Sequence, residues 1–146
     1  MTTLKQLIAD GEKALTDSDS ARLDVELLLA HSISQPRTWL YTWPDHIPSA
    51  VEQNLYLELL RRRQSGEPIA YLVGKQAFWN LELNITPDVL IPRPETELLV
   101  EKTLEKLAGI KQARVVDLGT GSGAIALALA NDNPDWEISG SDSSNG

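Results

Sequence analysis

The chain has no cysteine among its 146 residues, so neither a disulfide framework nor thiolate chemistry is open to it. That fits a cytoplasmic protein. Positive charge is scarce as well, with 13 Lys and Arg against 21 Asp and Glu and a formal net charge of −8. Such a surface repels nucleic-acid phosphate, so no direct nucleic-acid binding is expected. No apolar run approaches the ~18 residues that would span a bilayer. The opening Met1-Thr2-Thr3-Leu4-Lys5-Gln6 lacks the basic-then-apolar plan of a signal peptide. His31 and His46 have no metal-ligand spacing, and no metal is expected. Repeats and low-complexity tracts are missing too. What is present, 42% apolar and 23% charged residues, is the composition of a globular chain, enough for one domain or two small ones.

The first half carries helical periodicity. Leu4, Leu7, Ile8, Gly11 and Leu15 recur at helical spacing after Thr2 or Thr3, either of which can cap the start. The polar break Thr16–Ser20 supplies the next cap. Leu23, Leu27 and Ala30 then line a second helix, with Val25, Leu28 and Leu29 widening its apolar side. Pro36 suits the first turn of a short third helix carrying Trp39, Leu40 and Trp43, with the two tryptophans one turn apart and read as core. Ser49-Ala50-Val51-Glu52 matches a capping box, and Val51, Leu55 and Leu59 follow on a fourth helix. Arg61, Arg62 and Arg63 sit where the helix dipole favours cations, and Gly66 ends the run. Pro68 opens a last short helix closed by Gly74, which completes a bundle of about five helices over residues 1–74.

Period two then replaces period 3.6. Leu81, Leu83 and Ile85 alternate with polar residues as in a half-buried strand, and Phe78-Trp79 offers a partner strand. Asn80 is placed at the turn of this hairpin, where its side chain tolerates positive φ. Pro92 and Pro94 keep the path extended through Arg93, and Pro94 starts a helix with Glu95 and Glu97 in its first turn. Leu98, Leu99, Val100, Leu104 and Leu107 form its apolar side. Ala113–Asp117 reads as a strand, Ala124–Ala130 as a helix apolar all round and hence buried, and Trp136–Asp142 as a second strand. Strand, helix, strand is the opening of a parallel α/β sheet.

Between that strand and helix lies Asp117-Leu118-Gly119-Thr120-Gly121-Ser122-Gly123. Glycines there let the backbone turn sharply and let a ligand approach without Cβ clashes. Gly119, Gly121 and Ala124 also satisfy the dinucleotide pattern, so NAD remains open at this level. Asp117, two residues before the first glycine, favours a ligand with a cationic part. Asp142, at the end of the second strand, has the place and spacing of a carboxylate that accepts ribose hydroxyls.

Arg61-Arg62-Arg63 with Gly66-Glu67-Pro68-Ile69-Ala70-Tyr71, then Leu90-Ile91-Pro92-Arg93-Pro94-Glu95-Thr96-Glu97, then Val116 through Ala126 give the chain its resemblance. It resembles the peptide chain release factor glutamine methyltransferases, the HemK or PrmC family. The resemblance implies a helical domain (1–74) that helps recognise the release factor, a β-hairpin linker (75–92), and the N-terminal part of a Rossmann-like domain (93–146) that holds S-adenosylmethionine. The reaction it implies is methyl transfer to the side-chain amide of the glutamine in a Gly-Gly-Gln motif. By the same resemblance, Leu118, Gly119, Thr120 and Gly121 pack against the methionine part, Asp117 orients it, and Asp142 holds the ribose. Arg93 is placed near the cofactor or substrate mouth, with an ion pair to Glu95 or Glu97 as the plainer reading.

The family's Asn-Pro-Pro-Tyr motif, which grips the substrate amide, is absent from these 146 residues. The strand pattern stops two strands into a sheet, so the sequence reads as a C-terminally truncated fragment expected to be inactive alone. Two other readings stand beside it: a fragment of an NAD-dependent oxidoreductase, and a non-catalytic module whose helical half docks a partner.

Overall fold

A computed structural model describes residues 2–143. The chain divides between Val73 and Gly74 into two compact units.

The first unit consists of α1 (Leu4–Ala14), α2 (Ala21–Ser32), α3 (Arg37–Thr42), α4 (Ala50–Gln64) and α5 (Ile69–Val73). The capping box predicted at Ser49 forms, and the Thr3 cap of α1 proves to be a second one. Thr3 and Gln6 satisfy each other's backbone N–H at the start of α1, and Ser49 and Glu52 do so at the start of α4. The hydrogen bonds from Ser49 hold the Glu52 carboxyl below its ordinary range. The polar break before α2 does not cap it. The Ser18 and Ser20 hydroxyls instead donate to the Asp24 carboxylate at 2.9 and 3.0 Å.

Helix α2 is the centre of the bundle, packed by α1, α3, α4 and α5. Val25, Leu28, Leu29 and Ala30 are buried, as are Asp24 and Glu26, whereas Leu23 is exposed. A buried carboxylate survives only with partners, because its desolvation costs several kcal/mol or more otherwise. Asp24 receives Arg63 Nε at 2.9 Å, and Glu26 receives Arg22 Nε at 3.0 Å and the Tyr41 hydroxyl. The arginine run at the end of α4 is thereby partly consumed. Arg63 grips Asp24, Arg62 pairs with Glu67, and Arg61 bonds the Leu57 carbonyl one turn back.

Helix α4 turns Tyr56, Leu59 and Leu60 inward, while Val51 is 78% exposed and Leu55 lies at the rim. The four-residue spacing predicted for its face therefore drifts off the core, as an i, i+4 row does on a helix with 3.6 residues per turn. Leu40 of α3 is buried and Trp39 is partly buried against the core, but Trp43, just past the helix, is 57% exposed, so only one of the two tryptophans is core. Trp39 also packs edge-on against His46 with ring centroids 4.9 Å apart.

Three helices meet at Gly11, which is buried in α1. A Cβ there would stand 2.2 Å from the Tyr56 hydroxyl and 2.9 Å from Val25 Cγ2. That hydroxyl donates to the Leu7 carbonyl at 3.0 Å.

The second unit holds β1 (Lys75–Phe78), β2 (Leu81–Asn84), α6 (Glu97–Lys106), β3 (Arg114–Leu118), α7 (Ala124–Asp132) and β4 (Glu137–Ser141). Strands β1 and β2 form the antiparallel hairpin, from Lys75 opposite Asn84 to Phe78 opposite Leu81. The residue with positive φ in its turn is Trp79 (+57°), not Asn80. Pro94 opens a single 3-10 turn, Pro94–Thr96, that leads into α6. Only Val100 of the α6 leucine and valine side is fully buried, and Leu98 and Leu99 are more than half exposed. Strands β3 and β4 are parallel and joined through α7, a β-α-β unit as predicted. Helix α7 is less buried than an all-apolar sequence suggests: Ala124, Ala128 and Leu129 face inward, while Leu127 is 49% exposed.

Replacing Gly11 by alanine should destabilise the helical unit, because overpacking at Tyr56 outweighs the gain in helix propensity. A net loss of up to about 2 kcal/mol is expected in the unfolding free energy from denaturant titration, the overpacking cost of about 1–3 kcal/mol being offset by about 1 from propensity. Burial pushes the Tyr56 phenol above its ordinary value of 10.0. The unfolded chain then loses this proton first, so the stability contributed by the group is complete below about pH 10 and fades as pH rises further. Tyr56→Phe should be less stable than wild type at neutral pH by about 1 kcal/mol, and the gap should narrow above pH 10. Parallel urea titrations at both pH values measure it.

Candidate functional site

The parallel register sets Asp117 opposite Gly140 and Leu118 opposite Ser141, so β3 and β4 end side by side. The chain then folds back over the strand ends. The Ser141 carbonyl accepts the N–H groups of both Gly119 (2.8 Å) and Thr120 (2.9 Å), and the Thr120 carbonyl accepts that of Gly123 (2.8 Å). Three left-handed glycines make this path possible, with φ of +73° at Gly119, +54° at Gly121 and +78° at Gly123. Gly123 is the N-cap of α7, and the following helix start is neutral in sequence.

Two carboxylates brace the loop. Asp117, half-buried at the end of β3, accepts the Thr120 hydroxyl at 2.8 Å. Asp142, exposed just past β4, accepts the Gly121 N–H at 2.8 Å. The six residues picked from sequence, Asp117, Leu118, Gly119, Thr120, Gly121 and Asp142, are thus brought together in one bonded turn. The sequence reading gave the two aspartates to a ligand; the structure shows that each also fixes the loop's own shape. It missed Ser141, whose contribution is a backbone carbonyl and leaves no side-chain signature. The Thr120 side chain lies against Gly140, where a Cβ would come within 2.9 Å of its hydroxyl.

The loop presents open space to a ligand. A Cβ built at Gly119 or Gly121 would meet nothing within 4 Å, and Leu118 is 79% exposed. Carboxylates on both sides give the opening a negative field, which suits a cationic group beside a sugar. The described residues contain no cluster of side chains fit to hold a metal ion. Arg93 is exposed on the extended approach to the 3-10 turn. Glu97, considered as its ion-pair partner, instead accepts the backbone N–H of Trp79 at 2.7 Å.

Known proteins bear on both units. The family model described as PrmC N-terminal domain matches residues 6–74. A release factor glutamine methyltransferase of Coxiella burnetii is 44% identical over 145 residues, covering 99% of this chain and 52% of the relative. Proteins of the same name from Pseudomonas aeruginosa and Burkholderia pseudomallei are each 50% identical, over 142 and 138 residues, covering 97% and 94% of this chain and 50% and 48% of the relatives. The chain spans about half the length of the curated relatives it matches. With identity near one residue in two running from the helical bundle through the glycine loop, this chain belongs to the release factor glutamine methyltransferase family.

Proposed function

We propose that the chain supplies two parts of a methyltransferase that uses S-adenosylmethionine and acts on the glutamine amide of the Gly-Gly-Gln motif in peptide chain release factors. Residues 1–74 form the domain that recognises the release factor, 75–92 the hairpin linker, and 93–146 the first part of a Rossmann-like cofactor domain in the cytoplasm. The observation that carries this reading is the loop from Asp117 to Gly123, braced by two carboxylates and open above Gly119 and Gly121.

When bound, S-adenosylmethionine supplies a methyl group made electrophilic by the sulfonium. The protein's task is to hold it in line with a weak amide nucleophile. The backbone from Leu118 to Gly121 packs against the methionine part. Asp117, kept in place by Thr120, orients that part and complements its positive charge. Asp142, tethered to the Gly121 amide, offers its carboxylate to the ribose hydroxyls. The same carboxylate at Asp117 opposes the pyrophosphate of a nicotinamide cofactor, which sets the oxidoreductase reading behind this one. No Asn-Pro-Pro-Tyr stands in the 146 residues to grip the substrate amide, so the chain alone should not transfer a methyl group.

A chimera tests the proposal. Joined to the remaining half of the Pseudomonas aeruginosa relative, these 146 residues should yield a protein that moves labelled methyl from S-adenosylmethionine to a release factor, while the chain alone should not. In the chimera, Asp142→Ala should weaken S-adenosylmethionine binding by about 10- to 100-fold in calorimetry, the effect of losing a charged hydrogen bond. Heat on adding NAD, with none on adding S-adenosylmethionine, would overturn the reading.

A further inference from the structure

The hairpin of the second unit carries a tryptophan where its geometry calls for glycine. Trp79 and Asn80 are the two residues between β1 and β2, and of these only Trp79 has positive φ, at +57°. A two-residue turn with positive φ at its first position alone ordinarily has glycine there, because a large L side chain is disfavoured in that region. Something outside the turn must hold Trp79 in it. Its backbone N–H donates to Glu97 Oε1 at 2.7 Å, and its indole N–H donates to Asp132 Oδ2 at 2.8 Å. Asn80 Nδ2 reaches the other Asp132 oxygen at 3.3 Å.

Asp132 is the last residue of α7, whose opposite end starts at the Gly123 cap of the glycine loop. Helix α7 packs mainly on α6, β3 and β4 rather than on the hairpin. A cleft of about 360 Å³ lies between β2 and α7, bordered by Leu81, Leu83, Leu127 and Ala130, and Leu127 is half exposed. The polar clasp at the turn joins the end of α7 to the hairpin.

We propose that Trp79 is a positioning residue: by holding Asp132 it fixes α7, and through α7 the Gly119–Gly123 loop at the far end of the helix. The loop's use as a cofactor cradle rests on the function proposed above; the clasp does not, and its test needs no cofactor. Amide hydrogen exchange on the 146-residue chain reads it directly. Trp79→Gly, Trp79→Phe and Asp132→Leu should each speed exchange about tenfold at the last turn of α7 and at Gly121–Gly123, as expected for loss of a charge-assisted bond. Asp132→Asn keeps a neutral acceptor for the indole and should exchange more slowly than Asp132→Leu, between it and wild type. Trp79→Gly is the discriminating variant, since it relaxes the turn: a residue that served only the turn would leave exchange in α7 unchanged or slower. Unchanged exchange at the loop in Trp79→Gly and Trp79→Phe, or Asp132→Asn exchanging as fast as Asp132→Leu, would overturn the proposal. Should Trp79→Gly fail to fold, the comparison of Asp132→Asn with Asp132→Leu decides. Failure of S-adenosylmethionine to bind would leave this result standing.

Discussion

One carbonyl oxygen organises the candidate site. Ser141, at the end of β4, accepts two successive N–H groups from the loop that leaves β3. It can do so only because the strands run parallel and Leu118 lies level with Ser141. A slip of one residue would turn every side chain of β4 to the other face and carry Asp142 away from Gly121. The glycines are needed for the same reason: a chain that must present consecutive amides to one acceptor has to pass through left-handed backbone, which side chains disfavour. Register, glycines and the two aspartates are therefore a single constraint. Each of these interactions is made within the protein, so the loop's shape is fixed before a ligand arrives.

The helical unit solves a different problem. Its central helix contributes two carboxylates to the interior: Asp24 is matched by Arg63 of α4 and the Ser18 and Ser20 hydroxyls, and Glu26 by Arg22 of the same helix and the Tyr41 hydroxyl of α3. Buried pairs of this kind add little net stability, since desolvation offsets most of their attraction. What they do is fix which residues of α2, α4 and α3 meet, because a partner lost would leave a buried charge. Packing at Gly11 imposes a similar demand by volume, admitting no carbon atom between α1 and Tyr56.

Local chemistry was legible in the sequence, and tertiary placement much less so. The Ser49 capping box, a threonine cap on α1, the βαβ order and the residues of the glycine loop follow from short-range patterns that the structure keeps. The inward faces of α2 and α4 were misjudged, since which stripe is buried depends on where the other helices lie. The burial of Asp24 and Glu26 leaves no local signature, because Arg63 and Tyr41 stand far along the chain. The turn misassignment has the same origin. Asn80 has the better intrinsic tolerance for positive φ, but Asp132 and Glu97 place it on Trp79. For the site, the two aspartates that brace the loop were legible and the backbone acceptor was not, as a carbonyl is common to every residue.

In the proposed function the turn between β3 and α7 receives a sulfonium nucleoside. Amide chemical shifts of the chimeric protein, followed during addition of S-adenosylmethionine, examine that turn residue by residue. The largest changes are predicted at Gly119, Thr120, Gly121 and Asp142, with saturation at one equivalent. Changes that leave those four amides still while moving others, or that appear there only with a pyridine nucleotide, would contradict it.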